Sequence, residues 1–120
     1  MLVEPGIELP GAREVAPDVA GWHDDKVGQI DPDEPTRLAP DWVCEVRSPS
    51  NWRWDRDKKF PFYARVGVSW LWAIEPQERR LDVLRLRDGD WHLIVTLGTE
   101  TSAQIPPFEQ VVVDVSKLWI

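Results

Sequence analysis

Cysteine and long apolar runs are scarce in this sequence, and each shortage excludes a class of protein. The 120 residues include one cysteine, so an internal disulfide is excluded and a reducing, cytoplasmic setting is favoured. No apolar run approaches the roughly 18 residues that span a bilayer, and no secretory signal precedes the first polar segment. The P-loop, GxGxxG and nucleophile-elbow motifs are also missing, which argues against nucleotide binding through those loops and against triad hydrolysis.

Positive charge is the other shortage. Lysine and arginine number 14 against 21 acidic residues, giving a net charge of −7, which disfavours a protein whose whole surface binds DNA. It does not exclude a nuclease, because metal-binding carboxylates are negative and the cations bring their own positive charge. The length and the hydrophobic fraction of 42% are typical of one globular domain spanning residues 1–120. The eight tryptophans lie in apolar runs and are expected to be core or interface anchors.

Apolar patterning and turn residues predict an α+β domain. A helix is expected over residues 55–66, ended by Gly67, and Pro61 requires either a kink or a regular start close to it. Asp88-Gly89 predicts a hairpin turn, and one helix is too few for a doubly wound fold, so a mixed, mainly antiparallel sheet is expected. The predicted strands are residues 7–9, 15–22, 41–47, 68–74, 80–87, 91–97 and 111–115. The predicted loops are residues 23–40 and 98–103, followed by a terminal helical turn over residues 115–120.

The most informative run is PDWVCEVRSPS, residues 40–50, because it is a predicted buried strand that contains a carboxylate. Glu45 lies between Cys44 and Val46, where an unpaired charge is costly to bury. Asp18 lies in an upstream apolar run, and Lys59 follows on the predicted helix. Two acids that share a Mg²⁺ ion, with a lysine beside them, provide what phosphodiester hydrolysis requires.

Each of these residues also has a purely structural interpretation. Glu45 could form an ion pair with Arg47 or Arg56, and Lys59 could pair with Asp55 four residues earlier on the helix. The upstream acid follows a proline and could simply start or cap a strand. The sequence leaves these alternatives open.

Longer segments, in this order from about residue 4 to residue 119, resemble the Uma2 family of predicted restriction-endonuclease-like proteins in the PD-(D/E)XK nuclease superfamily. The segments are PDVAGW, PDWVCEVRSPS, DRDKKFPFYARVGVSWLWAIEP, LDVLRLRDGDWHL and PFEQVVVDVSKLW. The resemblance implies a restriction-endonuclease-like mixed sheet with few flanking helices, a Mg²⁺ or Mn²⁺ site at the sheet edge, and DNA as the substrate.

The resemblance also implies roles for particular residues. Asp18 takes the place of the first acid of the superfamily, and Glu45 takes the D/E position. The carbonyl of Val46 could add a metal ligand. The superfamily lysine would stand where this chain has Arg47, whereas members of this family carry a lysine on the following helix, which matches Lys59. The tyrosine at position 63 lies one helical turn further on.

Two departures favour an alternative function. Family members usually have a further N-terminal portion, so we expect this chain to be N-terminally truncated, and an arginine replaces the superfamily lysine. The alternative is a catalytically inactive remnant that acts as a homo-oligomeric or protein-binding module. Trp52 and Trp54, interleaved with Arg53 and Arg56, suit either stacking on bases or anchoring a partner in a homodimer.

The remaining candidates have simpler interpretations. Cys44 has no histidine or cysteine partner at metal-binding spacing and is expected to pack in the core. His23 borders an acidic pair and is expected in a solvated loop, and His92 is expected on the surface of a strand.

Overall fold

A computed structural model describes residues 2–3, 18–23, 38–47, 53, 55–99 and 102–119. A π-helical turn, Asp55–Lys59, leads into helix α1, Phe60–Val66, and a 3-10 helix, Val115–Trp119, follows the last strand. The strands are β1 Leu2–Val3, β2 Val19–Gly21, β3 Trp42–Val46, β4 Trp70–Glu75, β5 Arg80–Arg87, β6 Asp90–Leu97, β7 Ser102–Ala103 and β8 Val113–Asp114. No helix among these residues is long and apolar enough to cross a membrane.

The first six strands form one sheet in sequence order, from β1 to β6. All neighbouring pairs are antiparallel except β3 and β4, which are parallel. A parallel pair needs a crossover connection, and α1 lies in the connection between these two strands. The predicted α+β class with a mixed, mainly antiparallel sheet is therefore confirmed.

Helix α1 accommodates Pro61, which would disrupt the interior of a helix. The proline occupies one of the first positions of the regular helix, where its missing N–H has no helical partner to lose. The preceding residues wind as a π-helical turn instead. The helix ends at Gly67 as predicted, with φ of 86°, a left-handed conformation that only glycine adopts without a steric penalty.

Several predicted boundaries were wrong. Strand β4 starts at Trp70 instead of residue 68, because the N–H of Val68 is engaged by the carbonyl of Tyr63 at the helix end. Ser102–Ala103 is a strand inside a predicted loop, and it pairs with Val113–Asp114, the short remainder of the predicted last strand. The predicted strand at residues 7–9 and most of the loop at residues 23–40 lie outside the described residues.

Both faces of the central strands are covered. On the helix face, apolar side chains of β3 and β4 pack against α1; this cluster comprises Ala20, Val43, Phe60, Phe62, Tyr63, Val68, Leu71 and Ala73. On the opposite face, which we call the C-terminal face, the alternate side chains pack against the last part of the chain; that cluster comprises Trp42, Cys44, Trp72, Ile74, Leu81, Val83, Leu97, Ile105 and Val115. Burial on both faces explains why β3 and β4 are almost continuously apolar.

Candidate functional site

Glu45 is the exception to the apolar pattern of β3. It points to the helix face, as Val43 does two residues earlier in β3, and it pairs with Ala73 of β4. Its side chain is 1% exposed, and no other charged side chain among the described residues is buried. A carboxylate in such a place requires partners, because an unpaired buried charge would be strongly destabilising.

Helix α1 and the turn before it supply those partners. The Tyr63 hydroxyl donates a hydrogen bond of 2.5 Å to Oε1 of Glu45. The Lys59 ammonium donates to both carboxylate oxygens, at 3.2 Å each. Lys59 and Tyr63 are one helical turn apart, so both side chains face the same strand.

The pairing of Glu45 with Arg47, one of the structural alternatives, is not what the structure shows. The guanidinium of Arg47 lies over the ring of Phe60, 5.0 Å from its centroid, and the partner of Glu45 is Lys59. The side chains of Arg56 and Asp55, which the other structural interpretations invoke, lie outside the described part of the chain.

Burial dominates the electrostatics of Glu45. Removal from water raises the pKa of its carboxyl from 4.5 to about 7, and the nearby negative charge of Asp18 adds to this effect. The hydrogen bond from Tyr63 and the positive charge of Lys59 oppose the shift but do not cancel it. The carboxyl therefore changes its charge near neutral pH, which is a common property of functional groups.

Asp18 immediately precedes β2, and the register of β2 with β3 continues to a position opposite Glu45. Its Oδ2 accepts a hydrogen bond of 2.6 Å from the backbone N–H of Val46. The Asp18 side chain thus takes the place of a strand carbonyl at the end of the ladder. This contact gives Asp18 a structural task and also holds its carboxylate at the same end of β3 as Glu45.

The donor atoms at this end of β3 suit a hard cation. The carboxylates of Asp18 and Glu45 and the carbonyl of Val46 are oxygen donors of the type that Mg²⁺ and Mn²⁺ prefer. Among the described residues, no group of three or more His, Cys, Asp or Glu side chains converges. Two carboxylates and one carbonyl are a small set of ligands, which is compatible with Mg²⁺ because that ion usually keeps several waters.

The remaining described candidates take no part in the hydrogen bonds of Glu45. Cys44 is 4% exposed on the C-terminal face, and burial raises the pKa of its thiol to about 12, so its predicted packing role is confirmed. His23 is exposed as predicted, and its backbone N–H donates to Asp41 at 2.7 Å. His92 is also exposed. Trp52 and Trp54 lie outside the described residues.

An open groove of about 490 Å³ in the described part of the chain does not include the candidate site. Its walls include Trp22, Asp41, Trp42 and Phe108, at the opposite end of β3 from Glu45. Glu45, Lys59 and Tyr63 converge at the other end of β3, outside this groove.

The mixed, mainly antiparallel sheet with one crossover helix matches the restriction-endonuclease-like fold class that the sequence predicted. The chain belongs to the Uma2 family: residues 1–116 match the family described as "Putative restriction endonuclease". A solved structure from Anabaena variabilis, described as a "putative nuclease belonging to DUF820", is similar with a TM-score of 0.67 and 20% sequence identity. The similarity covers 98% of this chain and 66% of that protein. No curated protein matches the chain.

Sequence reasoning identified Tyr63 only by its position and gave it no role. The tyrosine is the sole one in the chain, and its hydroxyl makes the shortest contact with Glu45. The signal that could have found it is the spacing of four residues from Lys59, which places both side chains on one helix face.

Proposed function

We propose that this protein is a divalent-metal-dependent DNA endonuclease that hydrolyses phosphodiester bonds with Mg²⁺ or Mn²⁺. The observation that carries the proposal is the contact of Lys59 with both oxygens of the buried Glu45 carboxylate. Membership in a family described as a restriction endonuclease supports it.

In this proposal the residues of the candidate site have different roles. Glu45 and Asp18 are the carboxylate ligands, and the carbonyl of Val46 is a further oxygen donor at the same strand end. Lys59 orients the attacking water or offsets the negative charge that grows on the phosphate in the transition state. When bound, a divalent cation polarises a phosphoryl oxygen and makes a water more acidic.

Burial is part of this chemistry. The walls around Glu45 exclude water, so electrostatic interactions of the carboxylate with Lys59 are stronger than they would be on the surface. The raised pKa of Glu45 also means that a bound cation would favour the ionised carboxylate and release a proton near neutral pH.

The alternative, an inactive remnant that binds a partner protein, is the weaker proposal. A remnant has no need to keep a buried carboxylate, a lysine and a tyrosine in mutual contact. Buried ionic groups often contribute little stability compared with apolar residues of similar size, so this cluster is better explained by activity.

Cleavage of supercoiled plasmid in Mg²⁺ or Mn²⁺ tests the proposal. Wild type should cut, whereas Glu45→Gln and Lys59→Met should lose at least about 100-fold in rate, as loss of a charge-stabilising group typically does. Chelation of the metal should abolish cutting. Glu109→Gln, a change at an exposed acid, is the matched control and should leave the rate unchanged. Equal cutting by wild type and Glu45→Gln would refute the assignment.

A further inference from the structure

We propose that Tyr63 is the positioning residue of the candidate site: its hydroxyl fixes Oε1 of Glu45 so that Oε2 is presented to the cation. This inference rests on the function proposed above. It concerns a residue that touches neither substrate nor cation and acts through Glu45.

The two oxygens of Glu45 are unequally occupied. Oε1 accepts the Tyr63 hydroxyl at 2.5 Å and the Lys59 ammonium at 3.2 Å. Among the described residues Oε2 accepts from Lys59 alone, at 3.2 Å. Because each carboxylate oxygen can accept about two hydrogen bonds, Oε2 keeps acceptor capacity and Oε1 does not.

The two partners also differ in rigidity. The Tyr63 side chain is 1% exposed and lies within the apolar cluster of the helix face, with its ring 6.1 Å from that of Phe62. Lys59 is 19% exposed and has a long flexible stem. Lys59 can therefore turn towards a phosphate while Tyr63 continues to hold the carboxylate.

A hydrogen bond such as the one from Tyr63 orients a carboxylate that binds a metal ion. Groups that orient metal ligands from behind typically change metal affinity or activity 10- to 100-fold when removed. A hydroxyl bonded to an ionised carboxylate is also among the stronger hydrogen bonds in proteins. The geometry thus predicts a specific loss when only the hydroxyl is removed.

Calorimetric titration of the full chain with Mn²⁺ tests this with Tyr63→Phe. We expect about 10- to 100-fold weaker Mn²⁺ affinity than wild type, and a lower kcat for DNA cleavage with an unchanged KM. Val83→Ala, a buried change on the C-terminal face, in the cluster that does not contain Tyr63, is the control. It should lower thermal stability and leave Mn²⁺ affinity unchanged, as a purely structural role would.

A second measurement uses wild type alone and avoids any folding defect of the variant. Because the chain has one tyrosine, a ¹³C label on the tyrosine ring carbon that bears the hydroxyl reports on Tyr63 only. Its NMR signal should shift on addition of Mg²⁺, with the midpoint that a calorimetric titration with Mg²⁺ gives.

The outcomes separate the two proposals. If wild type binds Mn²⁺ and cuts DNA while Tyr63→Phe binds equally well, the positioning role is overturned and the nuclease proposal stands. A tyrosine signal that stays constant through saturation overturns the role as well. If wild type binds no Mn²⁺, both proposals fall together.

Discussion

At the scale of single residues, Glu45 combines burial with three hydrogen bonds. Its partners, Lys59 and Tyr63, come from one helical segment, so a single element determines the state of the carboxylate. Desolvation still outweighs these partners and leaves the pKa raised to about 7. The protein without cation is therefore expected to bear a titratable, destabilising charge in its core.

This charge predicts how stability depends on pH. Between pH 4.5 and about 7 the folded protein binds more protons at Glu45 than the unfolded chain does. The contribution of Glu45 to the free energy of unfolding should therefore fall as pH rises through this range, in total by roughly 3 kcal/mol. Urea denaturation of metal-free protein at several pH values measures the fall.

Other groups also titrate in this range, so the comparison with a variant is decisive. Glu45→Gln cannot ionise, and its free energy of unfolding should decrease less than that of wild type between pH 4.5 and 7. Glu109→Gln should retain the wild-type slope. Parallel curves for wild type and Glu45→Gln would show that the carboxyl titrates normally.

Cys44 gives a second prediction at this scale. Its thiol is buried, and its pKa is raised to about 12 by burial and by the neighbouring acids Glu45 and Asp18. Because the thiolate is the reactive form, a thiol reagent such as DTNB should not label native protein at pH 8 within the time that labels denatured protein fully. Rapid labelling of the native state would contradict the packing of β3.

At the scale of elements, α1 carries both partners of Glu45, and its ends are set by two conformationally special residues. Pro61 occupies the first turn, and Gly67 ends the helix with φ of 86°. The π-helical turn before the helix places Lys59 at its last position. Irregular turns of this type are frequent at functional sites.

Gly67→Ala should destabilise the protein by about 1–2 kcal/mol, since an L-residue is strained in the left-handed region. Apart from its chain neighbours, no atom of the described residues lies within 4 Å of the added Cβ, so the expected loss arises from backbone strain. Gly67→Asn should lose less, because asparagine tolerates this conformation better. Chemical denaturation of the two variants ranks them, and an equal loss would point to a steric cause instead.

The β5–β6 hairpin shows another use of special conformations. Asp88 and Gly89 both have positive φ, 53° and 81°, which is the turn that the Asp-Gly pair predicts. The register shifts between Val83 and Leu84, so that Ile94 of β6 is an extra residue. A bulge in an edge strand hinders pairing with a strand of another molecule.

At the scale of the whole molecule, we expect the two covered faces of β3 and β4 to unfold as one cooperative unit, because they share the same strands. Ile105 is fully buried on the C-terminal face, far along the chain from β3. Ile105→Ala should lower the free energy of unfolding by about 2–5 kcal/mol in a single transition. Val112→Ala, at a position 65% exposed, should change it by less than about 0.5 kcal/mol. Two separate transitions in Ile105→Ala would mean that the faces unfold independently.

Net charge and the candidate site act together at this scale. The net charge of −7 disfavours DNA binding unless cations offset it, so the proposed nuclease should bind DNA only with divalent ions. Because these ions bind the folded state, they should also stabilise the fold. At 100 times the dissociation constant, the ion should add about 2.7 kcal/mol to the free energy of unfolding. Asp18→Asn should lose most of this gain in thermal denaturation with Mg²⁺. An equal gain in both proteins would place the ion elsewhere.

Much of this architecture could be predicted from local sequence. Residues 80–87 alternate apolar and charged side chains, and the predicted strand coincides with Arg80–Arg87. Gly67 and the Asp-Gly turn have conformations that few other residues adopt, so they were predictable as well. The strand Ser102–Ala103 was not, because it depends on pairing with Val113–Asp114, a segment about ten residues later.

The candidate site, too, could be predicted only in part from the sequence. The sequence by itself determined that Glu45 would lie in a buried strand, since apolar neighbours on both sides require burial. The tertiary structure alone decided which group would meet that carboxylate: Lys59 and Tyr63 instead of Arg47. The reason is physical: burial follows from local hydrophobicity, whereas the partner of a charge depends on where the crossover helix lies against the sheet, and distant parts of the chain set that together.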